Sequence, residues 1–213
     1  MEEYLCFLQN HYEASVRRMI TNNERRIIID LARFRDHLPS KNKALFQQYR
    51  EEEVLLKLAL KQVVEKINPE YSNRYEEFFV GFEGSFGSHH VTPQTLNSNF
   101  INKLVCVEGV VARCHVVRSK LVKCVYFCPT TGKTMIVRSA VQPKMKDWEL
   151  QYGLCEYKDV QEITIREAYE NTSPGRVARE VIVSCEYDLA DSFKIGERVL
   201  VVGVRRHTMP GVG

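Results

Sequence analysis

Three cysteines and a run of cations are the residues whose types and spacing could do chemistry. Cys124 and Cys128 stand four apart, Cys155 follows, and His115 precedes them. Thiolate and imidazole are zinc donors, so this set is the candidate metal site. The spacing argues against it. Residues four apart in a strand share a face but lie about 13 Å apart. With Zn–S bonds of ~2.3 Å, one ion reaches both only if the strand breaks. The competing reading is three small, buried, apolar side chains. The sequence favours that reading, and zinc is not expected.

The cations cluster more tightly. Arg113, Arg118, Lys120 and Lys123 fall in one short stretch, and Arg166, Arg179, Arg205 and Arg206 recur on or beside later apolar runs. Distributed positive charge of this kind binds phosphate and releases counterions. Tyr126 and Phe127 would add faces on which bases stack. Cations at strand edges also keep sheets soluble and unpaired, and composition alone leaves both readings open.

Catalytic patterns are missing. There is no GxSxG, no GxxxxGK[ST] and no dinucleotide glycine pattern. His89-His90, beside Ser85 and Ser88, reads as a surface pair in a loop. Glu51–Glu53 and Glu76-Glu77 read as solvated helix faces. The chain is therefore predicted to carry out no reaction itself.

The elements that position these residues follow from periodicity. Leu5, Leu8, Tyr12, Val16 and Met19 have helical spacing, and Arg25–Ile29 is a short extended run. Asp30 can cap a helix over 31–38 that Pro39 ends. A long helix is predicted from Ser40, with Leu56, Leu60, Val63 and Ile67 as its buried stripe. Asn68-Pro69 closes it and opens another, marked by Tyr71, Tyr75 and Phe78. From Gly81 glycine and small polar residues suggest a linker. From Phe100 the pattern is β: 104–111, 121–127, 134–137, 159–167, 181–183 and 198–204, with turns at 129–133, 173–175 and 188–191. Gly109, inside the first run, marks a bulge or bend.

These elements predict an α+β chain: a helical subdomain over 1–96, then an OB-fold β-barrel over 97–213 with an inserted β-hairpin subdomain over 124–156. The net charge of +3 permits nucleic-acid binding without arguing for it. Seven cysteines, an odd number and several within apolar strands, predict reduced thiols in an intracellular protein. No apolar run approaches ~18 residues, and MEEYLCF is not a targeting signal, so no membrane partner is expected.

Several stretches resemble the minichromosome maintenance family, specifically its subunit-three type. They are RYEEFFVGFEGSFGS from Arg74, Val105–Val111 with the following VVRSKLVKCVYFCP, and TSPGRVARE with DLADSFKIGERVLVVGV. The resemblance covers about residues 25–210. It implies the N-terminal tier of a subunit of the hexameric replicative DNA helicase, acting in the nucleus in the initiation and elongation of DNA replication. Its expected partners are other minichromosome maintenance subunits in a hetero-hexameric ring, the DNA backbone, and replication loading and activation factors. An ATPase motor using ATP and Mg would follow Gly213. Many members carry two CxxC pairs in the insert. Here Thr131 stands where the second cysteine of the first pair would be, and no second pair appears, as in the subunit-three type. The resemblance places Lys120 and Lys123 toward DNA, makes 172–179 a loop communicating with the motor, and makes Arg205-Arg206 the start of a hairpin pointing into the channel. Two other readings are a protein-interaction scaffold without DNA contact, and a metal-dependent module using Cys124, Cys128 and Cys155.

Overall fold

The computed structural model describes residues 1–138, 148–171 and 177–207. They form two compact units, 1–108 with the return segment from Leu200, and 109–199.

The first unit is mostly helical. Helix α1 (Glu2–Thr21) buries Tyr4, Phe7, Leu8, Tyr12, Val16 and Met19; of the predicted stripe only Leu5 is partly exposed, and two aromatic rings join it. Strand β1 (Arg26–Asp30) follows. The Asp30 side chain accepts from Ala32 N–H and caps α2 (Leu31–His37) as predicted. The long helix expected from Ser40 is two helices, α3 (Pro39–Gln47) and α4 (Tyr49–Ile67), broken at Gln48. Their apolar residues face one core, so the break leaves the periodicity unchanged and is invisible to it. Asn68 caps α5 (Pro69–Arg74) by accepting from Tyr71 N–H.

Helix α5 ends before Tyr75 and Phe78, which were expected on it. The supposed linker at Gly81 lies inside strand β2 (Phe79–Glu83), paired in parallel with β1 from Arg26↔Phe79 to Asp30↔Glu83. The pairing partner lies some fifty residues upstream, so no local pattern could announce this strand. Gly81 has a packing reason there: a Cβ would come within 2.7 Å of Ile28 Cδ1. Ile27, Ile29, Val80 and Phe82 face the helices and complete the core. Strand β3 (His90–Val91) pairs with the start of β4 (Leu104–Cys114).

The second unit is a sheet. Strand β5 (Arg118–Cys128) makes a hairpin with β6 (Lys133–Val137), Cys124↔Val137 to Cys128↔Lys133, as the Thr-Thr-Gly turn predicts. Gly132 takes φ 65° there, a conformation glycine adopts without penalty. A short β7 (Glu149–Leu150) lies against β5. Strand β8 (Glu156–Arg166) is the spine. One edge carries β4 (Val110↔Arg166 to Cys114↔Ile163) and, end to end with it, β5 (Arg118↔Val160 to Lys123↔Glu156). It also pairs along 160–166 with β9 (Glu180–Glu186), from Val160↔Glu186 to Arg166↔Glu180. Strand β10 (Arg198–Val204), whose residues from Leu200 belong to the first unit, pairs with β4.

Gly109 earns its place by close approach. A Cβ would sit 2.4 Å from Ile165 Cγ2 and 2.7 Å from the Arg166 carbonyl oxygen. The bulge that its presence suggested falls just after it, where the β4–β8 register shifts between Val111 and Arg113. The predicted turn at 173–175 and most of the irregular stretch 140–153 lie outside the described residues. Among the described helices, none is long and apolar enough to cross a membrane.

Candidate nucleic-acid interface

Alternation along β8 decides which cations share a surface. Gln161, Ile163 and Ile165 are buried, so Lys158, Val160, Glu162, Thr164 and Arg166 occupy the opposite face. Directly paired residues point the same way. Lys120 pairs with Lys158, Arg118 with Val160, Arg113 with Thr164, and on β9 Glu186 and Glu180 pair with Val160 and Arg166. Arg113, Arg118, Lys120, Lys158 and Arg166 therefore stand on one face of one sheet.

Their charges are answered unequally. Arg113 Nη2 donates to Glu180 Oε2 at 2.6 Å. Lys123 Nζ, half-buried, donates to Glu156 Oε1 at 3.0 Å. Lys158 Nζ donates to Glu186 Oε2 at 2.5 Å and lies 5.3 Å from the centre of the Tyr187 ring. The Arg166 guanidinium lies 4.5 Å over Tyr169. Arg118 and Lys120 are exposed, and among the described residues neither has a carboxylate partner. Two lysines directly opposite repel; Glu186 sits against Lys158, and no carboxylate among the described residues sits against Lys120.

The other predicted cations stand elsewhere. Arg179 is exposed just before β9, and its carbonyl accepts from Glu167 N–H. Arg205 and Arg206 belong to the first unit. The Arg205 carbonyl accepts from Asn102 N–H at 2.9 Å, its guanidinium is partly buried, and Arg206 is exposed. Tyr126, expected as a stacking platform, is 5 % exposed and turned inward, so it offers no face to a base. Phe127 is half-buried. Lys158 was missed because the strand was predicted to start at Asp159. Its signal was the Lys-x-Val alternation one step earlier.

Among the described residues, no group of three or more His, Cys, Asp or Glu converges on a point that could hold a metal. Cys124 is fully buried and Cys128 nearly so. Hydrogen bonds from the Thr131 side chain first, and from its backbone and Thr130, hold the Cys128 thiol below its ordinary range against the opposing effect of burial. Cys155 is half-buried, its Sγ donating to Gln151 O.

Two acidic or basic residues expected at the surface are not there. Glu52 is 7 % exposed and accepts the Tyr4 hydroxyl proton at 2.5 Å, with Lys41 Nζ at 3.9 Å. Burial first, then this bond and the Glu52 charge, raise the Tyr4 phenol above its usual range. His89 is partly buried, its Nδ1 2.8 Å from Leu104 O and its ring against Phe46 and Phe100. His90 is exposed and meets Glu108 at 3.0 Å.

Comparison with known proteins adds an independent line. Residues 2–84 match the MCM N-terminal domain and residues 91–209 the MCM OB domain. The chain is similar to the "Zygotic DNA replication licensing factor mcm3" of Xenopus laevis, 39 % identical over 96 % of the chain. It is also similar to the "DNA replication licensing factor MCM3" of Gallus gallus (37 % over 98 %) and the "DNA replication licensing factor Mcm3" of Drosophila melanogaster (35 % over 98 %). It spans 28 % of the length of each of these relatives.

Proposed function

The chain belongs to the minichromosome maintenance (MCM) family, subunit-three type, and on that premise we propose that it is the DNA-binding and ring-assembly region of a subunit of a hexameric replicative DNA helicase. It acts in the nucleus, in the initiation and elongation of DNA replication. It holds the phosphate backbone without reading sequence, beside other MCM subunits and the factors that load and activate the ring. ATP and Mg belong to a motor domain elsewhere in such a subunit, and this region needs no metal. The organisation is a helical subdomain over 1–96 and a closed OB barrel over 97–213 with a degenerate zinc-finger hairpin over 124–156. The two domain matches, 2–84 and 91–209, support a two-part chain that changes over near residue 90.

The observation that carries the reading is the pair Arg118 and Lys120, exposed and without a carboxylate partner among the described residues, on a sheet face with three further cations. Two fully charged groups set the minimum phosphate contact. Arg113 extends it by exchanging a carboxylate for a phosphate, a swap of like partners that costs little because surface ion pairs contribute about 0–1 kcal/mol, while Lys158, mostly covered and held by Glu186, is a secondary contact. Arg166, Lys123, Arg179, Arg205 and Arg206 are secondary contacts. A ring of such domains multiplies weak individual contacts.

The test is a salt titration of DNA affinity for wild-type protein and for Arg118→Glu/Lys120→Glu. Each lost phosphate contact lowers the slope of log affinity on log salt by about 0.9 for duplex or 0.7 for single strands. Loss of affinity with a slope reduced by one to two contacts supports the reading. Unchanged affinity and slope favour the interaction scaffold. That second reading has its own observation: Ile136, Tyr152 and Leu154 on the excursion between β5 and β8 are 59 %, 72 % and 66 % exposed, apolar side chains that a protein neighbour would cover.

A further inference from the structure

The excursion leaves the sheet within β5 and returns at β8, and two thiols stand at its neck. The β5–β8 ladder runs Leu121↔Tyr157, shifts, and continues Lys123↔Glu156. The ladder ends there, and extending its register by one step sets Cys124 opposite Cys155, the residue just before β8. Directly opposed residues of antiparallel strands have Cα atoms about 4.5–5.5 Å apart. That lies inside the ~4.4–6.8 Å that a disulfide spans. Side-chain positions agree. The N–H of Val125, next to Cys124, donates to Cys155 Sγ at 3.4 Å, and the preceding pair, Lys123 and Glu156, touch at 3.0 Å. Tyr126 hydrogen-bonds to Cys124, and both the Cys124 and Cys155 sulfurs are close enough to raise its phenol. Both are reduced. Cys128 lies four residues further along β5, opposite Lys133 in the hairpin.

We propose that Cys124 and Cys155 form a redox-modification site, a dithiol that hydrogen peroxide converts to a disulfide across the neck of the excursion. The Cys155 sulfur, the more accessible, attacks a peroxide oxygen. The O–O bond breaks, one water leaves, and Cys155 becomes a sulfenic acid. The Cys124 sulfur then attacks that sulfur. The S–S bond forms, the S–O bond breaks, and the hydroxyl departs with the Cys124 proton as a second water. Two thiols lose two electrons and two protons, and one peroxide becomes two waters. The bond joins β5 to β8 where their ladder ends, so it closes 125–154 into a covalent loop. A cross-link of this kind restricts the open states of the segment it closes.

The experiment exposes the whole chain to hydrogen peroxide, alkylates the remaining thiols, and maps peptides without reduction. The expected result is loss of two alkylatable thiols out of seven, one cross-linked peptide containing Cys124 and Cys155, and slower amide exchange over 125–154 that dithiothreitol reverses. Cys155→Ser abolishes all three. Because Cys155 is half-buried, this variant keeps the packing that Cys124→Ser would disturb. Cys128→Ser leaves all three unchanged. A cross-link to any other cysteine, or Cys155 passing on to sulfinic acid while Cys124 stays alkylatable, overturns the proposal.

Discussion

The two compact units solve the problem of polar groups in opposite ways. Of the twelve largest fully buried side chains among the described residues, ten lie in the helical unit and only Ile163 and Ile165 in the sheet unit. The helical unit neutralises charge inside itself: Glu52 takes the Tyr4 hydroxyl, while Arg26 and Lys57 each lie 5.3 Å from the centre of the Phe79 ring. The sheet unit sets Arg113, Arg118, Lys120, Lys158 and Arg166 on one face of its sheet, and Arg118 and Lys120 have no carboxylate partner among the described residues. One unit pairs its polar groups within a packed core, and the other keeps several of its cations at a sheet face. Burial lowers the free energy of the fold, whereas an uncompensated exposed charge gains little until a partner of opposite sign arrives.

If that contrast is right, the largest loss of stability comes from the helical core. Phe34→Ala, at a fully buried ring stacked on Tyr4 and edge-on to Phe7 and Phe82, is expected to cost about 3–5 kcal/mol in a urea titration. A loss below about 1 kcal/mol would break the comparison. Next comes Gly109→Ala, where the Arg166 carbonyl cannot move aside as a side chain can. We expect about 1–3 kcal/mol, with amide protection lost first along β4 and β8.

A third measurement sharpens the account of internal neutralisation. Tyr4→Phe takes away the hydroxyl that the buried Glu52 carboxylate accepts, leaving it Lys41 at 3.9 Å, at an expected cost of about 1–3 kcal/mol. The double variant Tyr4→Phe/Glu52→Leu should recover part of that loss. If the double variant is the sum of the singles, the two groups are not coupled.

The sheet unit has its own alkaline limit. Burial first, and the Cys114 thiolate second, push the Cys185 thiol up to about 11. Unfolded chains ionise this thiol earlier, near 8.5, so above that pH the unfolded state has released a proton that the folded state still holds. Stability should therefore fall as pH rises from about 8.5 to about 11, and Cys185→Ala should flatten the slope. An unchanged slope in the variant would assign the effect to other groups. The smallest effect belongs to the cationic face. Glu180→Gln, which frees Arg113, should change stability by less than about 1 kcal/mol while strengthening DNA binding and steepening its salt dependence.

Local chemistry wrote much of this molecule into its sequence. The stripe of α1, the Asp30 and Asn68 caps, the β5–β6 hairpin and the glycine at position 109 all depend on residues a few positions apart, and each could be read there. The family resemblance carried by 74–88 and by the run ending in VLVVGV was equally legible, and the matched domains bear it out. Four features needed the folded chain. Strand β2 exists because β1 lies beside it. Glu52 is buried because α1 brings Tyr4 to it. Tyr126 is enclosed because β6 and β7 pair on either side of it, at Met135 and Leu150. Lys158 joins Lys120 because β8 runs antiparallel to β5. In each case the deciding contact joins residues distant in sequence, and pairing between distant segments leaves no trace in the periodicity of either one.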